Sequence, residues 1–169
     1  YYRVRNGIGF NKTPLEYGAF PVDPYSHTPK HAGARQPGMT GQVKEEILTR
    51  FVELGARVRS GEIAIEPALL RRREFAATKR TFCYLDVAKR WQSLELPAAS
   101  LAFTWCQLPF VYVIDDAAEP GLELALDDGE TARHGNAVLS ADLSAHVFER
   151  TGRIRKVTVT VNSAQLFSD

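Results

Sequence analysis

The spacing of hydrophobic positions changes twice along the chain. Residues 1–38 follow neither a helical nor a strand period. From 39 to 55 apolar side chains recur at helical spacing, and from 56 onward the period moves towards two. In the middle stretch Val43, Ile47, Phe51 and Leu54 fall on one stripe of a helix. Thr40 is placed to cap its start and Gly55 to end it as a left-handed C′ residue. Glu45 and Glu46 in its first half and Arg50 in its second lie in the sense the helix dipole favours.

Beyond the helix, Ala56–Arg59 and Glu62–Ile65 flank Ser60-Gly61, a two-residue hairpin signal. Thr81–Val87, Leu101–Cys106, Phe110–Ile114, Leu122–Leu126, Thr131–His134 and Ile154–Val161 read as further strands, with Asp127-Asp128-Gly129 as a tight turn. Val157, Val159 and Val161 share one face, which predicts a central strand at Ile154–Val161. A short helix is expected over Ala141–Arg150, capped by Ser140 and closed by Gly152. Short strands separated by turn signals predict a mainly β fold: an antiparallel β-sandwich or jelly roll, with one N-terminal α-helix preceded by a long ordered loop segment. Residues 1–55 form one expected domain and residues 56–169 the sandwich.

Composition narrows the function classes. The chain has 169 residues, 44% hydrophobic and 24% charged, which is ordinary for a globular protein. No apolar run approaches the roughly 20 residues of a membrane-spanning helix, so a membrane partner is not expected. Twenty-one basic residues against twenty acidic ones leave +1, without the strong basic excess of a nucleic-acid binder. Arg71-Arg72-Arg73 has no aromatic platform interleaved and reads as a solvated face. Cys83 and Cys106 lie in apolar, strand-like runs without metal-ligand spacing and are expected to be reduced and buried. The chain opens Tyr-Tyr-Arg-Val-Arg-Asn, without an initiator Met or signal-peptide pattern, and is expected to be the tail of something longer. Localisation stays open between cytoplasm and periplasm.

Candidate chemistry is densest where periodicity is lowest. Residues 1–38 hold five Gly, five Pro and six aromatics, and carry +3 against −2 for the remainder. Exposing so many rings is costly, so the segment is expected to wrap an upstream domain or a partner subunit. Within it, Tyr17, Phe20 and Tyr25 offer flat faces for the C–H surface of a sugar ring. Asp23, His27 and Glu45 are the candidate catalytic groups, Glu45 the better carboxylate, with its partner upstream. His31 and Gln42 suit sugar hydroxyls, while Lys30 and Arg35 suit a substrate carboxylate. His27 and His31 are four apart, but Pro29 between them breaks a regular helix, so no metal is assigned and no cofactor is expected. The alternative for the same residues is an interface whose aromatics merely pack, in a non-catalytic sandwich that assembles with other subunits.

The stretch Tyr17–Glu46, continued by Leu54-Gly-Ala-Arg-Val58 and Gly61-Glu-Ile-Ala-Ile-Glu-Pro67, resembles the C-terminal part of bacterial carbohydrate-active proteins of the six-hairpin, (α/α)6-barrel glycosidase superfamily. Ser100–Tyr112 and Phe148–Ile154 look like strand and turn elements of the β-sandwich that follows the barrel in that architecture. The resemblance implies a glycan-acting enzyme, with Met39–Leu54 as the last barrel helix and the preceding loop facing the cleft. Oligosaccharides or polysaccharides, uronic-acid-containing ones among them, would be its substrates. A polysaccharide lyase on a similar plan is the variant reading, with Tyr25 or His27 as base.

Overall fold

The computed structural model describes residues 40–167, with side chains from 47 onward. Expectations for residues 1–38 therefore lie outside the described residues. The chain divides between Arg50 and Phe51 into two units, and all the described strands belong to the second.

Helix α1 (Thr40–Glu53) delivers the chain into this unit. It ends at Gly55, whose φ of +70° is left-handed and whose Cβ, if it had one, would fall on the Glu66 carbonyl. Only glycine lets the chain turn here while its carbonyl accepts the Glu66 N–H at 2.9 Å. Leu54 is buried, and Phe51 meets the Trp105 ring edge-on at 5.2 Å. The Leu54 carbonyl, just past the helix end, accepts a 2.8 Å hydrogen bond from the buried Tyr112 hydroxyl.

The unit is mainly β, with ten strands in three sheets among the described residues. Strands β1 (Ala56–Arg59) and β2 (Glu62–Ile65) form the expected hairpin around Ser60-Gly61, and β9 (Val138–Leu139) pairs with β2. Five strands make the largest sheet: β5 (Ser100–Trp105), β6 (Leu108–Ile114), β7 (Gly121–Leu126), β8 (Thr131–His134) and β10 (Ile154–Val161), in the order β5-β6-β10-β7-β8. The third sheet is a two-stranded ribbon of β3 (Arg80–Leu85) and β4 (Trp91–Leu96).

β10 lies at the centre of its sheet, antiparallel to β7 and parallel to β6, and every other pairing among these strands is antiparallel. Val157, Val159 and Val161 are at most 1% exposed, as their shared face predicts. They join Phe110, Tyr112 and Leu124 from the large sheet and Ile63, Ile65 and Leu139 from the small one in a single hydrophobic core. The two sheets thus share one apolar interior in a sandwich-like arrangement. Helix α2 (Ala141–Phe148) packs beside the small sheet, where its buried Ser144 hydroxyl accepts from the Ile63 N–H (3.0 Å) and donates to the Leu139 carbonyl (3.1 Å). One hydroxyl thereby satisfies two buried backbone groups, one on β2 and one on β9.

Several local expectations are corrected. The helix α2 closes at Arg150 rather than Gly152: Arg150 takes the left-handed φ of 55°, its N–H bonds the Val147 carbonyl, and the Thr151 N–H bonds that of His146. Strand β3 stops at Leu85, leaving Val87 in the turn, and both β4 and β9 went unpredicted. Both cysteines are free, but Cys83 is exposed because it lies on the outward face of the ribbon, and Cys106 is only half-buried in a turn.

Candidate functional site

Of the residues singled out by sequence, Tyr17, Phe20, Asp23, Tyr25, His27, Lys30, His31 and Arg35 lie outside the described residues. Gln42 and Glu45 fall within the backbone of α1, in the stretch whose side chains are outside the described set. Among the described residues a different group of chemistry-bearing side chains is brought together, around the β3–β4 ribbon.

The ribbon's alternation sorts its side chains by face. Phe82, Tyr84, Gln92 and Leu94 are half-buried, whereas Cys83, Leu85, Trp91 and Ser93 are exposed. Tyr84 and Gln92 are cross-strand partners, so the phenol and the amide stand side by side at one end of the buried face. The chain then turns through Val87, Ala88 and Lys89, with the Asp86 N–H bonding the Arg90 carbonyl at 3.0 Å. Asp86 sits at the base of this loop and is 8% exposed.

Its carboxylate collects four donors: the Arg90 N–H (2.9 Å), the Gln92 amide (2.9 Å), and the Arg90 guanidinium through Nη2 (3.2 Å) and Nε (3.3 Å). The Arg90 backbone N–H is the main reason the Asp86 carboxyl lies below its ordinary value. Burial opposes it, and the Gln92 and Arg90 side chains add to the lowering. The same residue's carbonyl accepts from the Gln107 amide at 3.0 Å, which ties the ribbon to the β5–β6 turn. Cys106 and Gln107 in that turn both have positive φ, 51° and 65°, as the two-residue hairpin requires.

The third wall comes from the start of β10. Its pairing with β7 slips between Ile154 and Lys156, leaving Arg155 as the extra residue of a β-bulge. Together these elements enclose a cleft of about 150 Å³. Tyr84, Asp86, Arg90, Gln92, Gln107 and Arg155 supply its polar lining, and Val87, Leu108, Pro109 and Ile154 its apolar lining. Burial raises the Tyr84 phenol above its ordinary value, the Asp86 charge adds to this, and Arg155 acts against it. The phenol therefore remains a neutral donor at physiological pH.

These features define what the cleft can do. Its one carboxylate is ionised and saturated with donors, so it neither delivers a proton nor attacks a substrate. Two-carboxylate glycoside hydrolysis cannot be assembled from the lining. The arrangement is suited to binding: a phenol, two amides and two guanidiniums converge on a small space with an apolar floor. Among the described residues no group of three or more His, Cys, Asp or Glu is gathered as a metal ion would require.

Sequence reasoning missed this site because it has no contiguous motif. Tyr84, Gln92, Gln107 and Arg155 are spread over four strands or turns, and the bulge that admits Arg155 leaves no mark in composition. Compared with known proteins, the chain matches no family model and no curated sequence.

Proposed function

We propose that the chain is the C-terminal part of a carbohydrate-active protein, in which residues 51–167 form a non-catalytic β unit and residues 17–46 line the sugar site of an adjoining domain. What supports this reading is the order of elements: a helix ending at a tight glycine turn and leading directly into a mainly β unit. That is the order implied by the resemblance to six-hairpin glycosidases. The saturation of Asp86 is consistent with a β unit that takes no part in catalysis.

The test is made on the full-length protein with oligosaccharides and polysaccharides, neutral and uronate-containing. Glu45→Gln and Asp23→Asn are expected to abolish release of reducing ends while leaving the thermal unfolding curve unchanged. Full activity in both variants sinks the assignment. Unsaturated product ends, absorbing in the near ultraviolet, would identify a lyase and move attention to Tyr25 and His27.

A second reading, an assembly module without catalysis, is favoured by the outward face of the ribbon. There Trp91 is 76% exposed and stands opposite Leu85, itself exposed, in the register of the hairpin. Under it, Phe20→Ala is expected to weaken assembly in sedimentation velocity, with the carboxylate variants silent.

A further inference from the structure

We propose that the cleft between the β3–β4 ribbon and the start of β10 binds the carboxylate of a single uronic-acid residue, with Arg155 as its cation. This rests on the reading of the chain as part of a carbohydrate-active protein and names the substrate class the β unit would hold.

The two guanidiniums of the cleft are in different situations. Arg90 is already committed, its Nε and Nη2 both on the Asp86 carboxylate. Arg155 makes no ion pair or hydrogen bond among the described residues. The lining therefore carries one internally neutralised pair and one uncompensated positive charge. A ligand with a single negative charge completes it, and a planar carboxylate matches the fork of an arginine.

The backbone is shaped for this placement. In a regular strand Ile154 and Arg155 would face opposite sides of the sheet. Here both line the cleft, because the bulge falls between the paired residues Ile154 and Lys156 and re-aims the chain at Arg155. Ile154 is 5% exposed and forms part of the core, so the bulge keeps its burial while freeing Arg155 for the cleft. Bulges give up a regular ladder position, and one that turns a cation into a cleft has a use that packing alone does not require.

Size and the remaining polar groups decide what carries the carboxylate. About 150 Å³ corresponds to roughly five water molecules at ~30 Å³ each, well below the ~300 Å³ at which drug-sized ligand pockets begin. That space is on the scale of a single sugar ring. The neutral Tyr84 hydroxyl and the Gln92 and Gln107 amides are groups that exchange hydrogen bonds with sugar hydroxyls. The apolar side chains of Leu108, Pro109 and Ile154 offer a surface to its C–H face.

The experiment is an NMR titration of ¹⁵N-labelled full chain with glucuronate, glucose and acetate in parallel. Saturable shifts at the amides of Gln107, Gly152 and Arg155 are expected with glucuronate, weakening as salt is raised. Arg155→Gln should weaken binding at least ten-fold, and Arg155→Lys less, since it keeps the charge and loses the fork. Arg155 is exposed, so neither variant should disturb folding, and unchanged spectra elsewhere check this. Glucose binding as tightly as glucuronate and indifferent to Arg155→Gln would overturn the inference while leaving the carbohydrate reading standing. Acetate binding as tightly as glucuronate would overturn it by showing an anion pocket without sugar contacts. No saturable shift with any of the three overturns it as well. Whether the broader reading then falls is decided separately by polysaccharide cleavage in the full-length protein.

Discussion

The β3–β4 and β7–β8 hairpins turn on the same backbone and are held in place by different chemistry. In β7–β8 the Leu126 N–H bonds the Glu130 carbonyl, the Gly129 N–H bonds that of Leu126, and Gly129 is left-handed at φ 86°. In β3–β4 the Asp86 N–H bonds the Arg90 carbonyl, the Lys89 N–H bonds that of Asp86, and Lys89 is left-handed at φ 61°. Both are three-residue loops whose last residue takes the conformation glycine favours. β7 is sandwiched between β10 and β8, with Leu122 and Leu124 buried, so the sheet holds that hairpin. The ribbon has no third strand among the described residues and exposes Trp91 and Leu85 on one face, so its loop relies on the Asp86 carboxylate. At β7–β8 the carboxylates stay near the surface, on top of a glycine turn and a buried sheet: Asp128 accepts the Glu130 N–H (2.9 Å), and both Asp127 and Asp128 meet Arg153. At β3–β4, where burial is scarce, a buried carboxylate with four donors takes the larger share. That same charge then furnishes a wall of the cleft.

The strongest way to break this comparison is to remove the burial on which β7–β8 depends. Leu124→Ala deletes a side chain with no exposed surface and is expected to cost about 2–5 kcal/mol of global stability in urea unfolding. A loss under about 1 kcal/mol would mean that the large sheet is not the anchor claimed for it. Asp86→Asn should act locally instead. It keeps one acceptor oxygen but turns an amide towards the Arg90 and Gln92 donors, so amide exchange should quicken across β3–β4 and stay unchanged across β7–β8. Acidity sharpens the contrast. Because the Asp86 carboxyl lies below its ordinary value in the fold, its contribution is present at neutral pH and lost as pH falls through that lowered value. The difference in melting temperature between wild type and Asp86→Asn should be flat at neutral pH and narrow below about pH 4. A difference that persisted into strong acid would show that the carboxylate charge is not what holds the loop.

The two hairpins also show what was legible in the sequence. Asp127-Asp128-Gly129 announces its turn because glycine stands at the left-handed position, and Ser60-Gly61 announces β1–β2 for the same reason. Lys89 occupies the equivalent position in the ribbon, and Cys106-Gln107 make a left-handed pair without Gly or Asn. Neither turn could be read, and with the first went strand β4. Strand β10 was legible to the residue, since Val157, Val159 and Val161 alternate towards a buried face. β9 is two residues long and is fixed by pairing with β2 rather than by any pattern of its own. The cleft was illegible for a further reason: it depends on a register slip at Arg155 and on contacts between Asp86 and Gln107, distant in sequence.

Exchanging the turn residues gives the smallest and most direct comparison. Gly129→Ala puts a Cβ into open space, so its only penalty is the left-handed backbone, about 1–2 kcal/mol. Lys89→Gly is the reverse experiment and should not simply return that amount. Relief of the left-handed strain favours the variant, but glycine also gains conformational freedom in the unfolded chain, which offsets roughly 0.5–1 kcal/mol. A net stabilisation below about 1 kcal/mol is therefore expected, measured by urea unfolding with the slope unchanged. If the Asp86 carboxylate holds the ribbon loop, the gain from Lys89→Gly should grow in an Asp86→Asn background, because a weakened clamp leaves more of the turn's strain to be relieved locally. Strict additivity of the two substitutions would show that the clamp and the turn act independently. The ribbon would then be held, as β7–β8 is, by whatever its half-buried face packs against.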